Sequence, residues 1–124
     1  MYKVKFYKDK NGNQPTKDFI QNLDQRTDKN SKINVNKIYD YINYLKEVGP
    51  EAREPFAKHL DGEIWELRPI RNRILYASWD DDTFIILHHF IKKTQKTPAS
   101  EIKQAKRNLN DEKKRSKENE ENNK

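Results

Sequence analysis

Cysteine is absent from the 124 residues, which excludes disulfides, zinc–thiolate sites and thiol catalysis and fits a reducing compartment. Glycine is nearly absent too. Gly12, Gly49 and Gly62 stand isolated, so the chain has neither a Gly-rich loop to cradle phosphates nor a GxSxG nucleophile turn. No apolar run approaches the ~18 to 20 residues that span a bilayer. The opening stretch, MYKVKFYKDKNGN, is neither an apolar signal core nor an amphipathic transit helix. The expectation is a soluble, cytoplasmic protein with no membrane partner. Apolar residues are scarce as well: 32% of the chain is hydrophobic and 37% charged, so one modest core must be built from few side chains.

Charge is what the chain has in excess, and it is unevenly placed. Residues 84–107 hold six cations (Lys92, Lys93, Lys96, Lys103, Lys106, Arg107) against Glu101, a surplus of five out of a net +6. Such a local excess attracts polyanions, of which nucleic acid is the commonest; a solvated face is the competing explanation. From residue 111 to 124 no apolar residue occurs, and five basic residues cancel five acidic ones. A segment of that kind cannot offset its ordering entropy by burial, so it reads as a frayed helix extension or a charged flexible tail behind a domain spanning residues 1–110.

Hydrophobic spacing supplies the elements. Tyr2, Val4 and Phe6 alternate with polar neighbours as a half-buried strand does. Pro15 opens a helix to about residue 25, with Phe19, Ile20 and Leu23 on its inner face. Ser31 is a candidate cap for a second helix, whose stripe is Val35, Ile38, Ile42 and Leu45 and whose stop is Gly49-Pro50. Residues 51–62 are mixed and interrupted by Pro55. Strands follow over 64–70, with a polar face of Glu66 and Arg68, over 73–79, and over 84–91 after a turn at Asp80, Asp81 and Asp82. Thr97 caps and Pro98 starts a last helix lined by Ile102, Ala105 and Leu109. The class is α+β: a small, mostly antiparallel sheet of about four strands, two N-terminal helices on one face, and a C-terminal helix. The opposite face is expected to be only partly covered.

Strand parity brings cations together. In the hairpin through Asp80–Asp82, Arg73 falls opposite the end that carries His89 to Lys93, and Arg68 reaches the same rim. Arg68, Arg71, Arg73, Lys92 and Lys93 then form a cluster at one end of the sheet. By parity Ile85, Leu87, His89 and Ile91 share one face, and His88 and Phe90 the other. No HExxH or similar metal-ligand spacing occurs, and three consecutive aspartates diverge in a turn, so no metal or cofactor is expected. The remaining chemistry is metal-free, with Arg, Lys and a His or carboxylate. RNA permits it because its 2′-OH is the nucleophile, a base takes the 2′ proton, and fixed cations stabilise the phosphorane. His89, Glu66 and Lys93 are all candidates for the base.

The linked blocks KHLDGEIWELRPIRNRILYASW and FIILHHFIKKTQKTPASEIKQAKR, with FYKDKNGNQP near the start, resemble the HigB-like, phage-derived branch of the RelE/ParE toxin superfamily over residues 2 to 110. That resemblance implies a RelE-like fold and a toxin of a type II toxin–antitoxin pair that cleaves mRNA, usually on the ribosome and without a metal. It implies a helix-turn-helix, HigA-like antitoxin as partner, with DNA met only indirectly through it. The family's arginine at the start of the third strand falls on Arg73, and its basic residue after the fourth strand falls on Lys93. These two are the expected catalytic cations, with His89 for proton transfer. Arg68, Arg71, Lys92 and Lys96 are the expected RNA-binding residues. The pattern's lysine on the second strand is Glu66 here, and its last-helix tyrosine has no counterpart between residues 98 and 110. Two alternatives are a ParE-like gyrase inhibitor and a non-catalytic RNA- or ribosome-binding module.

Overall fold

The computed structural model describes residues 1–122. The elements run β1 (Lys3–Phe6), α1 (Pro15–Gln25), α2 (Lys29–Val48), β2 (Ala57–Asp61), β3 (Ile64–Leu67), β4 (Asn72–Ser78), β5 (Thr83–Ile91) and α3 (Ala99–Asn122), with a 3-10 turn at Gly49–Glu51. They form one α+β unit around a mixed, five-stranded sheet in the order β1-β5-β4-β3-β2. The expected four strands become five because residues 57–61 pair antiparallel with β3. β2 is an edge strand, mostly exposed beyond Ala57, and shows none of the alternation that makes a strand readable. β1 joins the other edge in parallel with β5, from Lys3 opposite Thr83 to Phe6 opposite Ile86, while the remaining pairs are antiparallel.

Each face of the sheet carries its own core. On one side Ile20 of α1 and Val35, Ile38, Ile42 and Leu45 of α2 pack on Leu67, Ile74, Tyr76, Phe84 and Ile86. On the other, Ala105 and Leu109 of α3 cover Ile64, Leu75, Ala77, Ile85 and Leu87. Each fully buried Ile or Leu contributes about 1.5–3 kcal/mol, so two thin layers suffice for a chain with few apolar residues. The face expected to be only partly covered is thus closed by α3, and Glu66, on the expected polar face of its strand, is 2% exposed beneath it.

Local chemistry fixes the ends of the helices. Asp28, rather than Ser31, caps α2. Its carboxylate accepts from the Ser31 backbone N–H at 3.0 Å and from the Ser31 hydroxyl, so the serine supports the cap from inside the first turn. Gly49 ends α2 at φ +57°, and a Cβ there would collide with the Tyr2 ring. Thr97, read as the cap of α3, instead donates its hydroxyl to Glu66 Oε1 at 2.8 Å.

α3 does not stop at residue 110. The segment from Asp111 stays helical to Asn122, and its first turn is tied to the residues that follow β1: Tyr7 donates to Asp111 at 2.7 Å, the Lys8 N–H donates to Glu112 at 2.9 Å, and Arg115 bonds both Asp111 and the Lys8 carbonyl. Polar side chains anchor this stretch, which an apolar count overlooks. Residues 123 and 124 of the expected tail lie outside the described residues.

Candidate functional site

The site is built where β3, β4 and β5 end. β3 is shorter than its alternating pattern suggests and closes at Leu67. Pro69, Ile70, Arg71 and Asn72 then make the turn into β4, closed by the Asn72 N–H on the Pro69 carbonyl at 3.0 Å. Ile70 takes φ +60° at the first central position, where glycine is the usual choice. A β-branched residue in the left-handed region costs on the order of 1–3 kcal/mol, and strain of this kind concentrates at functional sites. The distortion aims the Ile70 carbonyl at Arg73, whose Nη1 donates to it at 3.0 Å and to the Asn72 carbonyl at 2.8 Å.

Arg73 is 5% exposed and held by these two carbonyls. Burial lowers its pKa from the ordinary value and Glu66 opposes the shift. An arginine nevertheless stays charged at any physiological pH. Nε and Nη2 make no hydrogen bond among the described residues and are not sealed off, so one edge of the planar fork is free to receive an anion. Arg73 lines a cleft of about 400 Å³ together with Ile70, Arg71, Lys92, Lys93 and Thr94. The Lys92 N–H donates to the Arg71 carbonyl at 2.7 Å and clips the end of β5 to the turn.

Of the residues expected at the site, Arg71, Arg73, Lys92 and Lys93 therefore meet in one concavity. Arg68 lies beside it, its Nε 3.7 Å from Glu66 Oε2 and without a hydrogen bond. Lys96 is exposed in the loop leading to α3 and lines neither this cleft nor the next. Glu66 sits underneath, with one oxygen on Thr97 and the other toward Arg68, a buried counter-charge to two guanidiniums.

His89 departs from the expected parity. Leu75 pairs with His88 but Tyr76 pairs with Ile86, so Leu87 is an extra residue on β5. This bulge reverses the alternation, as bulges next to functional sites often do. Ile85 and Leu87 face α3, whereas His89 turns to α1: its Nδ1 meets Thr16 Oγ1 at 3.1 Å and its ring stacks on Phe19 with centroids 4.3 Å apart. His88 points to α3, where its Nε2 meets Glu101 Oε2 at 2.6 Å. That pair was not legible in the sequence, because the two residues lie on different elements.

A second cleft, of about 480 Å³, opens beside His89 and is lined by Phe19, Phe90, Lys93, Thr94 and Glu101. It exists because β1 stops at Phe6 while β5 continues to Ile91, leaving the end of β5 without a strand neighbour on that side. Lys93 and Thr94 line both clefts.

Burial and the adjacent His88 push the His89 imidazole down to about 4, against a slight upward pull from Glu101. At neutral pH it is uncharged and a weak base, which suits stacking and hydrogen bonding better than proton abstraction. An unfolded imidazole near 6.5 binds a proton that the folded one refuses, so acid favours the unfolded chain between about pH 6.5 and 4. The stabilisation is fully present above that window and lost as pH falls through it. Allowing for the ring's partial exposure, it amounts to on the order of 2 kcal/mol. His89→Gln is expected to lose less stability than wild type between about pH 7 and about pH 5 in urea unfolding; equal losses would assign the acid sensitivity elsewhere.

Among the described residues no helix is long and apolar enough to cross a membrane, and no group of three or more His, Asp or Glu side chains is placed to hold a metal ion. No curated protein matches the chain significantly. Residues 18–110, which carry most of α1, all of α2, strands β2 to β5 and both clefts, match the family model described as phage derived protein Gp49-like (DUF891), and the chain belongs to that family.

Proposed function

We propose that this protein is the toxin of a type II toxin–antitoxin pair, related to the RelE- and HigB-like toxins, and that it cleaves mRNA without a metal, on the ribosome. One observation carries the reading: Arg71, Arg73, Lys92 and Lys93 converge on a single cleft, and the innermost of them is a buried, backbone-anchored arginine with a free edge. Clustered cations repel one another, and a phosphodiester is an anion that relieves the repulsion. The α+β arrangement, with two helices on one face of a mixed sheet and a third on the other, is compatible with a RelE-like fold.

In this reading the substrate's 2′-OH attacks the adjacent phosphorus. Arg73 and Lys93 stabilise the charge that grows on the non-bridging and leaving oxygens, and a preorganised donor of this kind is worth about 10²–10³-fold in rate. Arg71 and Lys92 position the backbone. As the P–O2′ bond forms the P–O5′ bond breaks; the 2′-OH gives up its proton and the departing 5′ oxygen gains one, so the products, a 2′,3′-cyclic phosphate and a 5′-OH, hold the same protons as the substrate. A helix-turn-helix antitoxin encoded beside the toxin would silence it. Mapping transcript 5′ ends after brief induction tests the proposal. The expected result is growth arrest with new 5′-OH ends inside translated regions. Intact transcripts together with blocked supercoiling would replace it with a gyrase inhibitor, and RNA bound but never cut would replace it with a binding module.

A further inference from the structure

The two clefts share Lys93 and Thr94, so what occupies one touches what occupies the other. One is lined by cations and the other by rings: the Phe19–His89 stack, with planes 15° apart, and Phe90. A phosphate joined through a sugar to a flat base has that same division of character. Single-stranded RNA is read by splaying bases onto aromatic side chains and bonding their Watson–Crick edges.

We propose that the cleft beside the free end of β5 is a nucleobase subsite selective for guanine, seating the base next to the phosphate in the cationic cleft. It rests on the RNA-cleaving reading above and adds what that enzyme recognises. The charged groups at the cleft are the Glu101 carboxylate and the Lys93 ammonium, while the other polar side chains there, Thr94 and His89, already bond the Lys96 carbonyl and the Thr16 hydroxyl. Guanine alone presents two adjacent donors, N1–H and N2–H₂, beside an acceptor, O6. A carboxylate takes the donors and an ammonium meets O6. Adenine would turn its N1 lone pair toward the carboxylate, and uracil offers one donor between two carbonyls, so both are disfavoured by repulsion as well as by lost bonds. His88 acts as a positioning residue, because its 2.6 Å contact holds Glu101 Oε2 and fixes the plane of the carboxylate. The unpaired edge of β5 allows the base to enter from the side.

Titration of the full chain with the 3′-monophosphates of guanosine, adenosine, cytidine and uridine, followed by NMR, tests the subsite. Guanosine 3′-monophosphate is expected to bind about tenfold or more tighter than the others, the scale of one good bidentate base contact, and to shift Phe19, His89 and Lys93. The near-isosteric Glu101→Gln removes the preference while leaving phosphate binding. Phe19→Leu weakens all four without changing their order, and Arg71→Ala weakens all four alike. Equal binding of the four nucleotides, shifts confined to the cationic cleft, or an undiminished guanine preference in Glu101→Gln would each overturn the proposal. If RNA is cut without a Glu101-dependent base order, the subsite alone fails. If the nucleotides bind as expected and RNA stays intact, the enzyme reading alone fails.

Discussion

Glu66→Ala is expected to destabilise the fold by about 2–4 kcal/mol in urea denaturation, below the range for breaking a fully buried ion pair because the partner, Arg68, keeps 27% of its side chain exposed. The carboxylate is 2% exposed and cannot turn to bulk water for compensation, and Arg73, 5% exposed, meets solvent only through its free edge. Arg68 Nε is buried without a hydrogen bond, and its 3.7 Å approach to Glu66 Oε2 is electrostatic. Without the carboxylate, two guanidiniums would face each other with no counter-charge; Arg68 already lowers the Arg73 pKa, while Glu66 raises it. Two further variants separate charge from hydrogen bonding. Thr97→Val deletes only the 2.8 Å bond to Oε1 and is expected to cost about 1 kcal/mol. Glu66→Gln keeps a hydrogen-bond acceptor but no charge, and it should fall near Glu66→Ala. Should Glu66→Gln instead match Thr97→Val, the acid is there for its hydrogen bond, and the ionic account of the buried cluster is wrong.

The same residue shows what the sequence could and could not convey. Period two over 64–70 correctly puts Glu66 and Leu67 on opposite faces of β3, but it cannot say that α3 and Thr97 will cover the polar one. The long helix α2 was legible because its stripe repeats for several turns and Gly49-Pro50 ends it. β2 was not, since this edge strand buries little: Ala57 is its one fully buried residue and Leu60 packs only in part, three positions on. The gathering of Arg71, Arg73, Lys92 and Lys93 followed from hairpin register. What register could not give was parity beyond the bulge at Leu87, which sends His89 to α1 instead of leaving it beside Ile85. The left-handed Ile70 carries no sequence signal at all, because glycine is what that position would lead one to expect. In each case the missing information is long-range: a helix arriving from elsewhere, or a strain the rest of the fold sustains. Such local violations of propensity are expected at sites kept for function.

Lys93→Ala is expected to lower RNA cleavage by about 10²–10³-fold, the loss associated with removing one preorganised charge donor from a transition state. The side chain is exposed and makes no ion pair or hydrogen bond within the described residues, so thermal stability should be unchanged. Arg73 poses a different case. Its carbonyl anchors and deep burial mean that Arg73→Ala removes packing together with the proposed contact to the substrate, so lost activity alone would be ambiguous. Arg73→Lys resolves this, because a lysine keeps the charge opposite Glu66 but cannot hold two carbonyls and offer a planar edge at once. It is expected to remain folded, lose at most about 1–2 kcal/mol of stability, and still lose about tenfold or more in single-turnover cleavage. If both residues act on one phosphate, the double variant Arg73→Lys/Lys93→Ala should fall well short of the product of the single losses. Strict multiplicativity would mean that the two cations serve separate steps or separate phosphates. Full activity in Lys93→Ala would remove the shared wall of the two clefts from the chemistry altogether.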